Sequence, residues 1–172
     1  MLAEHAADLQ MIYPEGDIRW EGSPYQWIQT RPPRQKGAIG EALLARWLDG
    51  LNLPVCKSRG SSSDRRVGKA RIEIKLSFLW KTGLYRFMQI RDQDYDHLVC
   101  LGLSPDLFHC WVIPKAVVLE KWEARDGIEP QHGGSTSTET AWLAVTPDPL
   151  VPSWISQWGG DPEAAVRIFR QF

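Results

Sequence analysis

The chain reads as a single α/β domain with a central mixed β-sheet flanked by helices, and three observations predict it. Its 172 residues, 43% hydrophobic and 24% charged, suffice for one core and rarely for two. Helical and strand-type apolar spacings alternate along the chain. A tight hairpin precedes two strongly apolar segments with helical patterns on either side, as a sheet covered by helices requires.

Residues 1–35 read as a short helical start and a connector, punctuated by Pro14, Gly16, Gly22, Pro24 and Pro32-Pro33. Residues 36–172 carry the rest of the expected unit. From Gln35 to Asp49, Ile39, Leu43, Leu44, Trp47 and Leu48 recur at helical spacing and Gly50 follows as a stop. Glu41 lies about 20° from Leu48 on the helical wheel, so an acid borders the buried stripe. Leu53 to Lys57 reads as a strand and Ser58 to Ser63 as a Gly/Ser loop.

The segment DRRVGKARIEIKLS follows. Two extended arms, Asp64 to Val67 and Ala70 to Leu76, flank Gly68-Lys69, a two-residue loop that closes a hairpin. With Val67 facing Ala70, Arg66 faces Arg71, Arg65 faces Ile72, and Asp64 faces Glu73. Alternation sends Ile72, Ile74 and Leu76 to one side and Arg71, Glu73 and Lys75 to the other. Opposed carboxylates repel unless a cation sits between them. One reading is therefore a divalent metal held by Asp64 and Glu73, with Lys75 orienting water and offsetting negative charge. The other is an exposed hairpin face on which Asp64 pairs with Arg71 and Glu73 with Arg66.

Leu84 to Ile90 suits a helix or a strand, Leu98 to Leu103 a buried strand, and Arg91 to Asp96 an acidic turn between them. Phe108 to Ile113 pairs with the preceding strand through Ser104-Pro105-Asp106. A helix over Lys115 to Ala124, a polar loop over Gln131 to Thr140, a strand over Ala141 to Val145 and a helix over Pro162 to Phe172 complete the chain.

Composition excludes several classes of function. No run of eighteen apolar residues exists, and Glu4, His5 and Asp8 occupy the start, so neither a membrane span nor secretion is expected. Cys56, Cys100 and Cys110 have spacings that suit neither a disulfide framework nor a structural zinc pair, and a reducing cytoplasm is expected. His97, Cys100, His109 and Cys110 make a poor zinc set, because adjacent His109 and Cys110 on a strand point to opposite faces. The net charge of -1 excludes a uniformly basic coat. Charge is instead local: Lys57, Arg59, Arg65, Arg66, Lys69, Arg71 and Lys75 surround Asp64 and Glu73, whereas acids dominate after Glu120. Arg34, Lys36, Arg59, Arg66 and Lys69 are the candidate phosphate contacts. Trp47, Trp111 and Trp142 fall on apolar faces, and Trp80 beside Lys81 is the aromatic candidate for nucleic acid. His132, in QHGGSTSTET, lies in a segment that could bond a DNA backbone or face water.

The residues from Glu41 to Lys75 resemble the PD-(D/E)XK nuclease superfamily, the fold of type II restriction endonucleases. Glu41 in GAIGEALLARWL is similar to its helix acid, Asp64 to its first metal-binding aspartate, and Glu73-Ile74-Lys75 to its (D/E)XK element. Gln89 in YRFMQIR stands where related nucleases often carry a site glutamine. Ser63 replaces the family's frequent proline, and the interval from Asp64 to Glu73 is short for the group. The resemblance extends to about Val118. It implies a restriction-endonuclease-like core over 36–172, with catalytic Asp64, Glu73, Lys75, Glu41 and Gln89. It also implies Mg²⁺, with Mn²⁺ as a substitute, on Asp64, Glu73 and Glu41, and no small-molecule cofactor. The implied activity is double-strand DNA cleavage by a homodimer; a repair or junction-resolving nuclease and a non-catalytic DNA-binding module are the alternatives.

Overall fold

The computed structural model describes residues 17–57, 64–131, 139–147 and 151–172. Arg59, His132 and residues 1–16 of the expected helical start lie outside the described residues. The chain forms a single α/β domain around a mixed six-stranded sheet flanked by helices. Its strands are β1 (Val55–Lys57), β2 (Arg65–Val67), β3 (Ala70–Phe78), β5 (His97–Leu103), β6 (Phe108–Pro114) and β9 (Gly159–Gly160), adjacent in that order. β3 and β5 run parallel and every other pair is antiparallel, which makes the sheet mixed. A second sheet holds β4 (Tyr85–Ile90), β8 (Ala141–Val145) and β7 (Ile128–Pro130).

Each face of the large sheet buries its own core. On one side Ile72, Ile74, Val99, Leu101 and Val112 meet Leu44 and Leu48 of the helix Pro33–Asp49 (α2) and Phe169 of the helix Pro162–Phe169 (α5). The segment before α2 joins this core: α1 (Gln26–Gln29) contributes Ile28, and a turn over Ile18–Trp20 contributes Trp20. On the other side Leu98, Cys100, Trp111 and Ile113 pack against Tyr85, Phe87, Leu143 and Val145 of the second sheet. Val118 of α3 (Lys115–Ala124) and Ile155 of α4 (Ser153–Ser156) complete that layer. Because β5 is covered on both faces, LVCLGL is a continuous apolar run.

Several boundaries follow from local chemistry. Pro33 occupies the first turn of α2, where its missing N–H costs nothing, so the helix starts two residues before the expected Gln35. The side chain of Asp161 accepts from the N–H groups of Glu163 and Ala164, capping α5. Gly68 turns the hairpin at φ 55°, a conformation that suits glycine, and a Cβ there would also meet Phe172 O at 2.8 Å. The ambiguous segment Leu84 to Ile90 is a strand. Tyr85 and Phe87 alternate inward, and a bulge at Met88-Gln89, with Gln89 at φ 56°, brings Ile90 rather than Gln89 into the core.

Two expectations are corrected. Trp142 is half-buried on the outward face of the second sheet, since strand alternation gives its neighbours Ala141 and Leu143 the core positions. The polar side of β3 is no exposed hairpin face either: Glu73 is only 6% exposed because the second layer covers it. Arg71 pairs with Asp94 and Asp96 instead of Asp64, and Arg66 donates to Lys69 O instead of Glu73.

The Arg71–Asp96 clamp ties β3 to the start of β5. The Asp96 carboxylate accepts from Arg71 N–H at 2.8 Å and from Nη2 at 2.8 Å. These bonds, the side-chain one foremost, lower the Asp96 pKa to about 2. A depressed carboxylate stabilises the fold above its unfolded pKa, near 3.8, and loses that contribution as pH falls toward 2. Asp96→Asn is expected to cost on the order of 1 kcal/mol at neutral pH, solvent exposure holding the figure down, and to flatten the melting temperature against pH between 3.8 and 2. Thermal melts across that range check both effects.

Candidate active site

The site is built where β2 stops beside β3. The observed register, Val67↔Ala70, Arg66↔Arg71 and Arg65↔Ile72, is the one the hairpin sequence predicts. It ends one residue early, and Asp64 does not continue it to Glu73. The Asp64 N–H donates to Ile72 O at 3.1 Å, and Asp64 Oδ2 accepts from the Ile74 N–H at 2.8 Å. A side-chain carboxylate thereby takes the place of the next backbone acceptor of β2 and fixes Asp64 against the middle of β3.

Glu73, Lys75 and Ser77 alternate along the covered face of β3. Lys75 Nζ contacts Glu73 Oε1 at 2.7 Å, and the two side chains are 18% and 8% exposed. Glu73 Oε2 is buried and has no hydrogen-bond partner. Burial pushes the Glu73 pKa up, Lys75 opposes that, and the charges of Asp64 and Glu41 push in the same direction as burial. Beneath lies Tyr95, buried, its hydroxyl also without a partner and its pKa raised by burial first and by the Glu73 charge second.

Glu41 reaches the same edge from α2. Its helix sits close because Gly40 faces β3: a Cβ on Gly40 would lie 3.0 Å from Leu76 Cβ. Arg65 Nε donates to Glu41 Oε2 at 3.2 Å. Glu41 is pushed up by burial and by Asp64, and pulled down by Arg65 and Lys57. Gly40→Val is expected to force helix and sheet apart and destabilise by about 1–3 kcal/mol. A denaturant midpoint checks it, with any loss of site function following the displaced Glu41.

The three acids thus act on one another electrostatically, and Lys75 stands among them. Each has one oxygen held by the protein: Glu41 by Arg65, Asp64 by Ile74, Glu73 by Lys75. Among the described residues no three His, Cys, Asp or Glu side chains form a ready-made metal cluster. The donor chemistry nevertheless fits Mg²⁺, which takes oxygen ligands and is commonly held by only one or two carboxylates besides substrate phosphate. The buried Glu73 Oε2, otherwise orphaned, is the observation that supports this fit.

Gln89 is placed elsewhere, exposed in the β4 bulge, with its N–H donating to Gln131 Oε1 at 2.7 Å. Arg34, Arg66 and Lys69 are exposed, and Lys36 lies over the Phe78 ring at 5.7 Å. Cys100 and Cys110 are buried in the cores on opposite faces of the sheet. Sequence reasoning missed Arg65 as the partner of Glu41, although alternation with Arg66 already directs it toward the helix side. It also missed Tyr95, whose only signal was an aromatic residue inside an acidic turn.

No family model matches the chain, and no curated protein does. Among solved structures the fold is similar to a bacterial homing endonuclease, I-Ssp6803I, with a TM-score of 0.50 and 17% identity over 81% of this chain and 93% of that one. At this identity the likeness is one of fold. Among the described residues, no helix is long and apolar enough to cross a membrane.

Proposed function

We propose that the chain is a Mg²⁺-dependent DNA endonuclease of the PD-(D/E)XK type, with Asp64, Glu73 and Lys75 as its catalytic residues. The observation that carries this reading is the buried Glu73–Lys75 pair with one carboxylate oxygen unpartnered, set beside Asp64 and Glu41. A core gains nothing from three mutually repelling acids, whereas phosphodiester hydrolysis uses such acids. The similarity in fold to a homing endonuclease supports the substrate class.

Asp64 and Glu73, with Glu41 behind them, would hold the Mg²⁺; Mn²⁺ suits the same oxygen donors. When bound, the ion supplies Lewis-acid polarisation of the scissile phosphoryl group. Lys75 orients the attacking water and offsets negative charge that develops on the phosphoryl oxygens. Its contact with Glu73 keeps the ammonium on the covered face of β3. Arg34, Lys36, Arg66 and Lys69 supply phosphate contacts, and Arg59, outside the described residues, is a further candidate by its charge.

Restriction-like double-strand cleavage by a homodimer is the finer form of the proposal. Supercoiled plasmid incubated with the protein and Mg²⁺ is expected to yield discrete linear fragments, and none in EDTA. Nicks or smears would favour a repair or junction-resolving role. Binding with no cleavage of plasmid or branched DNA, alike in wild type and Lys75→Ala, would overturn the nuclease assignment. Because burial raises the Glu73 pKa, protons compete with the ion for this carboxylate, and Mg²⁺-dependent cleavage is expected to decline on the acid side, with the decline moving to lower pH as Mg²⁺ is raised. A rate profile against pH checks this.

A further inference from the structure

The outward face of the second sheet carries a stacked cation that the site does not use. The Arg86 guanidinium carbon lies 4.8 Å from the Trp80 ring centroid and 4.4 Å from that of Trp142, so both indoles grip it. None of the ion pairs among the described residues includes Arg86, and its Nε is buried without a hydrogen-bond partner. Glu129, directly opposite Trp142 in the ladder, forms no ion pair with it. A guanidinium immobilised by two rings has already lost its rotamer freedom, and its donors lack an anion.

The backbone ties this group to the site. The Arg86 N–H donates to Ser77 Oγ at 2.9 Å, and Ser77 shares the covered face of β3 with Glu73 and Lys75. Four residues of strand separate Glu73 from Ser77, about 13 Å at the usual rise. Trp80 is 45% exposed and Lys81 follows it, so the approach is open and positive.

We propose that the Trp80–Arg86–Trp142 stack is a phosphate clamp: Arg86 takes one backbone phosphate of duplex DNA outside the cleavage site, and the two indoles hold it ready. This rests on the DNA reading above. A phosphate is favoured over a base edge because the charge is complementary and because Arg86 and Trp142 are held on strands β4 and β8, with Trp80 closing over the guanidinium from the adjoining turn.

The test is the salt dependence of binding to a fluorescent duplex, measured in EDTA so that no cleavage occurs. Wild type is expected to bind with affinity that falls steeply with salt. Arg86→Gln is expected to bind more weakly, with the slope of log affinity against log salt reduced by about one unit. Arg86→Lys should keep the wild-type slope. Trp80→Ala, a change on an exposed turn, should weaken binding several-fold while keeping the slope; it decides the matter should Arg86→Gln fail to fold. Equal slopes for wild type and folded Arg86→Gln overturn the clamp, as does wild-type affinity in Trp80→Ala. Failure of wild type to bind any duplex would instead overturn the DNA reading itself.

Discussion

Replacing Lys75 by alanine is expected to abolish cleavage and destabilise the protein together. Removing a preorganised group that stabilises transition-state charge costs about 10²–10³ in rate, and here the same change strands a buried carboxylate. Without Lys75, both oxygens of Glu73 lack a partner in a side chain only 8% exposed. An uncompensated buried acceptor of this kind costs about 2 kcal/mol or more. The opposing influence of Lys75 on Glu73 is lost as well, so Glu73 moves further toward its protonated, non-ligating form. Single-turnover cleavage of a labelled duplex, with thermal melts on the same preparations, reads both effects. Retention of rate in a folded Lys75→Ala protein would remove Lys75 from the chemistry.

Glu73→Gln is expected to do the reverse to stability while losing activity just as completely. The Glu73 pKa is raised in the folded state by burial, and repulsion from Asp64 and Glu41 adds to it. For an acid shifted upward, the folded protein binds the proton more readily than the unfolded chain. Stability therefore declines as pH rises from the unfolded value, near 4.5, through the folded one, and stays lower above it. Gln mimics the protonated form and can keep the Lys75 contact. The variant should therefore melt a few degrees above wild type at neutral pH, the shift that about 1 kcal/mol produces in a chain of this length. The difference should shrink as pH falls toward 4.5. A stabilised, inactive Glu73→Gln beside a destabilised, inactive Lys75→Ala is a pattern that simple structural roles for the pair would not produce.

Much of this site is legible in the sequence. The hairpin register followed from one two-residue loop and period-two alternation, because β-pairing leaves no freedom once the turn is fixed. The long helix with Glu41 near its buried stripe followed from 3.6-residue periodicity. What failed was the last step. Alternation alone makes Asp64 a ladder residue facing Glu73, but its short carboxylate competes for a backbone donor and captures the Ile74 N–H, so the ladder stops at Arg65.

The second sheet was also beyond sequence reasoning. Its strands β4, β8 and β7 come from distant parts of the chain, and the pairing of Arg86 with Ala144 or Glu129 with Trp142 is a long-range choice that local pattern does not encode. Glu73 faces the layer that this sheet helps to build, beside buried Tyr95, and burial there raises its pKa and leaves one oxygen unpartnered. The residue identities at the site were thus readable, whereas their environment was not. The bulge that removes Gln89 from its strand face shows the same division, since it depends on Ile90 reaching the core of the opposing layer.

The proposed hydrolysis requires these acids to hold a divalent ion. Electron paramagnetic resonance of free Mn²⁺, titrated with wild type and with Glu73→Gln, addresses this without relying on cleavage. Wild type should withdraw Mn²⁺ from solution, displaceably by Mg²⁺, and Glu73→Gln should withdraw far less. Equal binding by the two proteins, or no binding by a wild type that still cuts DNA, would contradict the assignment of Glu73 as the metal-holding acid.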